Sequence, residues 1–257
     1  VSPACDHCYA EAWAKRTGQS QLWQGTRRRT RPENWKGPLK WNKQAERDGT
    51  RPRVFCSSLA DVFDNEADPA WRADLFLLIQ KTPNLDWLLL TKRIGNASAM
   101  ISMATRGLRL QDDWPWPNVW IGSTIANQEE ADRDIPKLLA TPARLRFLSI
   151  EPMLGPVNLV LGEDDGSGET HALRGITFCQ GREPLEHPAI DWVIAGSESG
   201  HHARECNLDW VRSLRDQCTA ASVAFHWKQH AIRGKKISLP ELDGKSWAEF
   251  PTTTNAC

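Results

Sequence analysis

Short apolar runs rich in β-branched residues recur along the chain at Val54–Cys56, Trp87–Thr91, Val119–Thr124, Leu145–Ile150, Trp192–Ala195 and Val223–Trp227. Nearly every position in Trp87–Leu90 is apolar, as expected of a strand covered on both faces. Between these runs lie amphipathic stretches with helix-start signals: Asp68-Pro69 before Ala70–Lys81, Asn127 before Gln128–Leu139, and Asn207 through Asp209 before Trp210–Ala221. Strands alternating with helices predict repeated βα units and a parallel sheet. Right-handed crossovers then lead either to a doubly wound sheet or to a closed or partly open barrel, and the pattern does not choose between them.

Three stretches break the rhythm and read as loops or insertions: Arg27–Arg31 running on to Lys43, the Trp/Pro segment Asp112–Asn118, and Gly162–Pro188, rich in glycine and charge. The tail from Arg233 to Pro251 lacks periodicity and reads as a C-terminal extension packed on the outside or end of the fold. The chain of 257 residues is long enough for one large α/β core, so a single domain over residues 1–257 is expected.

Composition narrows the partners. Lysine plus arginine equals aspartate plus glutamate, 32 against 32, so a nucleic acid or an anionic membrane can be met only by a local patch. No apolar run reaches the roughly 18 residues of a membrane span and no secretory leader is visible, which predicts a cytoplasmic protein without a membrane partner. Seven scattered cysteines, at 5, 8, 56, 179, 206, 218 and 257, lack the dense spacing of a secreted disulfide scaffold; thiols or metal thiolates are expected. The chain opens on Val1, and residues upstream of it, including a first strand, are expected to be missing.

In parallel α/β folds ligands sit beyond the carboxyl ends of the strands. The residues there are polar throughout: Ser57, Ser58 and Asp61; Thr91, Lys92 and Arg93; Ser123 and Thr124; Glu151; Ser197, Glu198 and Ser199; Lys228 and Gln229. A single serine or threonine needs only to be a cap or turn residue. Lys92, Glu151, Glu198 and Lys228 together, two carboxylates and two ammonium groups, suit a zwitterionic ligand. The glycines of Gly196-Ser-Glu-Ser-Gly200 allow close backbone approach.

Cys5 and Cys8, in Cys5-Asp-His-Cys8-Tyr9, are spaced to face one metal ion or cluster. A redox dithiol or two unrelated thiols are the alternatives. A structural zinc site calls for four protein ligands, and no second close pair exists. The basic run, followed by Trp35, Lys36, Lys40, Trp41 and Lys43, suits phosphate contact and base stacking; equally it is a solvated face with tryptophans packed on the body.

A cysteine loop followed by strands that end in Ser, Lys, Glu and Glu resembles the radical S-adenosylmethionine enzymes. At family level, Val1–Glu11, Phe55–Asp64, Leu89–Arg93, Asn118–Gly122, Arg146–Pro156, Asp191–Gly200 and Trp227–Gln229 resemble the phage-type family of unknown function called gp thirty-seven/gp sixty-eight, nearly end to end. The resemblance implies a partial TIM-like barrel of radical S-adenosylmethionine type. It also implies a 4Fe-4S cluster on Cys5, Cys8 and a third cysteine upstream of Val1. S-adenosylmethionine would be held by Tyr9, Ser57, Ser58, Glu151 and Lys228, with Lys92 and Glu198 as catalytic groups. His7 stands where such enzymes carry an aromatic residue before the last cysteine. The substrate is not implied; a nucleic acid or nucleotide is one option. Two rivals remain open: a metal-binding nucleic-acid module without catalysis, and a non-redox barrel enzyme using Glu151, Glu198 and Lys92 as acid/base groups.

Overall fold

The computed structural model describes residues 2–23, 25, 27–106, 114–162, 168–199, 203–232 and 235–252. Asp112 and Asp113 of the Trp/Pro segment, residues 163–167 of the expected insertion, Gly200 of the glycine turn, and Arg233 and Cys257 of the tail lie outside the described residues.

In chain order the helices are α1 (Tyr9–Arg16), α2 (Pro32–Asp48), α3 (Pro69–Gln80), α4 (Ile94–Thr105), α5 (Gln128–Ala140) and α6 (Leu208–Ala220). The strands are β1 (Arg53–Phe55), β2 (Asp86–Thr91), β3 (Val119–Thr124), β4 (Leu145–Ile150), β5 (Val160–Gly162), β6 (Gly168–His171), β7 (Ile176–Cys179), β8 (Leu185–Glu186), β9 (Trp192–Gly196), β10 (Ala224–Ile232), β11 (Lys235–Ser238), β12 (Glu241–Leu242) and β13 (Lys245–Ser246). The fold is mixed α/β. Its main sheet has seven strands in the order β1-β2-β3-β4-β9-β10-β11. Pairings β1–β2, β4–β9 and β9–β10 are parallel, and β11 runs antiparallel to β10. β3 and β4 are buried at every position, the polar Ser123, Thr124, Arg146 and Ser149 included.

The expected helix starts are real caps. Asp68 Oδ1 accepts from Ala70 N at 2.9 Å, Asn127 Oδ1 from Glu130 N at 3.0 Å, and Asn207 Oδ1 from Asp209 N at 2.8 Å. Each satisfies one of the orphan donors of a first turn.

Two compact units divide the chain. One comprises Val1–Tyr9, Ser123–Ala140 and Arg146–Cys257; the other comprises Ala10–Gly122 and Thr141–Leu145. Within the second unit, Trp87 N donates to Asn118 O at 2.8 Å and Asp86 N to Pro52 O at 3.1 Å, tying the strand starts together. Phe63, Phe76, Ile79, Leu85 and Leu89 are fully buried there. Within the first unit, Phe147, Leu148, Val193 and Phe225 are fully buried under α5 and α6 residues such as Ile135, Leu138, Val211 and Leu214.

Three expectations are corrected. The basic segment is not a loop over its whole length, because residues from Pro32 onward form the 17-residue helix α2, with Pro32 in its first turn and Gly49 at φ 61° closing it. Only Pro38 and Ala45 of α2 are buried, so its apolar stripe is too thin to read. Residues 94–105, for which no helix was expected, form α4, which buries Ile94, Ala97, Ile101, Ala104 and Thr105 at helical spacing. Gly162–Pro188 carries strands rather than open loop. β5 to β8 make an antiparallel four-stranded sheet, turned by Gly175 at φ 67° and Gly181 at φ 71°, with Thr170 and Thr177 hydroxyls 2.8 Å apart across it. Among the described residues no helix is long and apolar enough to cross a membrane.

Candidate functional site

The cysteine loop belongs to the first unit and is shaped locally by a short helical turn. Ser2 Oγ accepts from Ala4 N at 3.1 Å, Cys5 N donates to Ser2 O at 2.9 Å, and Cys8 N donates to Cys5 O at 3.3 Å. Both cysteines are half-buried free thiols. The turn folds the backbone back between them, as a two-residue spacing allows.

What holds this loop is the end of β9. His7 Nδ1 lies 3.0 Å from Glu198 Oε2. Arg204 grips the same carboxylate three times, through its backbone N (2.9 Å) and Nε (3.0 Å) to Oε2 and through Nη2 (2.6 Å) to Oε1. The same guanidinium reaches the loop itself: Nη2 donates to Pro3 O at 2.9 Å, and Nη1 is 3.3 Å from Asp6 Oδ2. The Glu198 side chain is only 5% exposed. Burial alone would raise its pKa, but the hydrogen bonds from Arg204 and His7 outweigh it and hold the carboxyl at about 2. The Arg204 guanidinium is correspondingly raised by its bond to Glu198. Glu198 is therefore a permanently ionised anchor with both oxygens engaged, and as placed it clamps the loop.

Beside it stands a second carboxylate. Ser149 and Glu151 share one face of the chain leaving β4, two residues apart, and Ser149 Oγ donates to Glu151 Oε2 at 3.2 Å. Lys228 Nζ donates to the same oxygen at 2.9 Å. Lys228 reaches it because the β9–β10 register shifts between Trp227 and Gln229, an irregularity that re-aims a side chain. Glu151 Oε1 is buried with no hydrogen-bond partner. It lies against Gly196, where any Cβ would collide with it, so the glycine is what admits the carboxylate. The Tyr9 phenol is pushed up by burial and then by the nearby Cys8 and Glu151, which links the cysteine loop to this carboxylate. Thr124 Oγ1, also buried and unpartnered, ends β3 next to the Ile125 N to Ser149 O bond of 3.0 Å.

The first unit thus brings together Cys5, Cys8, Tyr9, Glu151, Glu198 and Lys228. Ser57, Ser58 and Lys92 belong to the second unit. Ser57 adopts φ 57° and its Oγ is 3.4 Å from Cys56 Sγ. Asp61 organises that strand end: it accepts from Thr91 Oγ1 at 2.7 Å, from Lys92 N at 3.0 Å and from Arg93 Nη1 at 3.3 Å. Sequence reasoning missed Arg204, the residue with the most contacts to the loop. The available signal was Glu198 itself, since a carboxylate at a buried strand end needs a cation.

The described donors fit a metal cofactor in part. Two free cysteines lie on one turn, but among the described residues no three His, Cys, Asp or Glu side chains group as a metal site. Cys206 and Cys218 do not help: burial pushes their thiols up to about 11 and about 12, the mark of inert core cysteines. Glu151 Oε1, by contrast, is a buried acceptor without a hydrogen-bond partner, the kind of group that calls for a donor. No curated protein and no solved structure matches the chain. One family model does match, over residues 1–251, and the chain belongs to that family, described as protein of unknown function (DUF5131).

Proposed function

We propose that the protein is an iron–sulfur enzyme of radical S-adenosylmethionine type, on a partial TIM-like barrel, acting on a substrate that the sequence does not assign. The likeness to gp thirty-seven/gp sixty-eight proteins is read as extending to their three-cysteine site, with Cys5, Cys8 and a cysteine upstream of Val1 as ligands of a 4Fe-4S cluster. One observation carries the reading: the Cys5–Cys8 loop is pinned by His7, Glu198 and Arg204 beside a carboxylate, Glu151, that keeps one buried oxygen unpartnered.

When bound, such a cluster supplies the one-electron reductive cleavage of S-adenosylmethionine that starts hydrogen abstraction from a substrate. In this reading Cys5 and Cys8 would hold iron. Glu151 would accept a hydrogen bond from the cofactor's ammonium group, Lys228 would balance charge beside it, and Tyr9 would line the space between loop and carboxylate. Ser57, Ser58 and Lys92, expected as cofactor contacts and as a catalytic cation, belong to the second unit and carry no part of this proposal. Glu198 acts through His7 and Arg204 on the position of the loop, which moves it from the catalytic role expected of it to a positioning one. That engagement also weighs against the acid/base rival: a carboxyl held at about 2 is a poor proton carrier near neutrality.

The test is anaerobic reconstitution with iron, sulfide and a strong reductant, followed by measurement of deoxyadenosine released from S-adenosylmethionine. Release that disappears in Cys8→Ala and falls in Glu151→Gln is expected. A fully loaded cluster that releases none overturns the proposal.

A further inference from the structure

Helix α2 carries a feature that the proposed chemistry does not use. Lys36, Lys40, Lys43 and Arg47 follow one another at intervals of four, three and four residues. At 3.6 residues per turn these side chains fall within an arc of about 60° and form a row about 16 Å long. All four are exposed, and the row lies opposite the buried Pro38 and Ala45. Lys36, Lys40 and Lys43 have no carboxylate within ion-pair distance among the described residues, although Glu33 and Glu46 flank the row. Arg47 Nη2 donates to Gln44 Oε1 at 2.6 Å and has no carboxylate within ion-pair distance among the described residues. Upstream, Arg27 pairs with Asp64 at 2.6 Å and Glu66 at 3.2 Å, and Arg29 pairs with Asp74 at 2.6 Å and stacks on Trp35, while Arg28 and Arg31 are exposed. Two of the arginines are therefore neutralised by ion pairs, and α2 carries the regular row of charge.

We infer that this face of α2 is a contact surface for the phosphate backbone of double-stranded DNA. The protein is neutral overall, so a row of four unneutralised cations is a local departure that needs an anionic partner to be useful. A protein partner fits less well, since interface cores are apolar and depleted in lysine, and this arc holds no apolar side chain. A membrane surface fits less well too, because an interfacial helix must offer its apolar face to lipid and here that face is buried. Single strands are bound largely through stacked aromatics, yet Trp35 is occupied by Arg29 and Trp41 points well off the row. What remains is a rigid line of point charges, suited to the regular phosphates of a duplex and blind to its sequence. The inference stands apart from the iron–sulfur reading and survives its failure.

The experiment measures binding of the whole chain to a fluorescent 20-base-pair duplex across a salt series, for the natural sequence, for Lys36→Ala/Lys40→Ala/Lys43→Ala, and for Lys235→Ala/Lys236→Ala as a control for generic charge. Four phosphate contacts predict that log K falls against log salt with a slope of about −3.6, dropping to about −0.9 in the α2 variant, which binds about a hundredfold or more weakly at moderate salt. The control keeps the natural slope. Alanine is a strong helix former, and an unchanged circular-dichroism melt shows that α2 persists. Absence of duplex binding by the natural chain, an unchanged slope in the α2 variant, or binding to phosphatidylserine vesicles in place of duplex overturns the inference.

Discussion

Glu198→Gln removes the charge of the clamp while keeping its shape, and the effect can be worked from the site. The carboxyl sits at about 2, against an ordinary value of 4.5. That depression corresponds to roughly 3 kcal/mol of preferential stabilisation of the ionised, folded form, at about 1.36 kcal/mol per pKa unit. Allowing for relaxation and water entry once the charge is gone, a loss of about 2–3 kcal/mol at pH 7 is expected. Because the folded pKa is depressed, the stabilisation is complete above about pH 4.5 and is lost as pH falls toward 2. The difference between natural chain and variant should therefore shrink to about 1 kcal/mol by pH 3. Urea unfolding at pH 7, 5 and 3 measures it. A difference below 1 kcal/mol at pH 7, or one that stays constant with pH, refutes the view that Glu198 is an ionised anchor.

Arg204→Met frees the loop from Pro3 O and Asp6 as well as from Glu198, so Cys5 and Cys8 should react with an alkylating thiol reagent several times faster, read by peptide mass spectrometry. Cys206 and Cys218, buried and pushed up to about 11 and about 12, should stay unreactive in the same samples; uniform acceleration would mean general loosening instead. Gly196→Ala drives a methyl group into Glu151, which should cost about 1–3 kcal/mol as overpacking and abolish S-adenosylmethionine binding in equilibrium dialysis, whereas a neutral effect would show that Glu151 is not fixed there. Lys228→Met leaves Glu151 with the Ser149 hydroxyl and, because Lys228 is half exposed, should lower stability in urea unfolding by no more than about 1 kcal/mol; a larger loss would show that the pair holds the strand ends together.

The buried central strands and the capped helices were legible because burial on both faces and an Asx cap each leave a residue-level trace. β3 and β4 came out with their bounds unchanged, Val119–Thr124 and Leu145–Ile150, whereas the short strands β6, β7, β8 and β11, which bury no residue, left no such run. α2 was not legible, since a helix that buries only Pro38 and Ala45 leaves no apolar period, and α4 went unread although its buried Ile94, Ala97, Ile101 and Ala104 recur at helical spacing. At the site, Glu151 and Lys228 could be named as strand-end residues, but their ion pair depends on a register shift in β10 that no local pattern announces. Arg204 was invisible because its loop position, six residues beyond Glu198, has no periodic relation to the cysteines it grips. Long-range partners of buried charges are set by tertiary geometry, and sequence offers only the need for them.

The most direct test of the account is the iron and acid-labile sulfide content of the full-length gene product after anaerobic reconstitution, compared with Cys5→Ala and Cys8→Ala. About four iron and four sulfide per chain, lost in both variants, is the predicted result. Iron content that is negligible in the natural chain, or that persists unchanged without Cys5 and Cys8, contradicts the assignment of this loop as a cluster site.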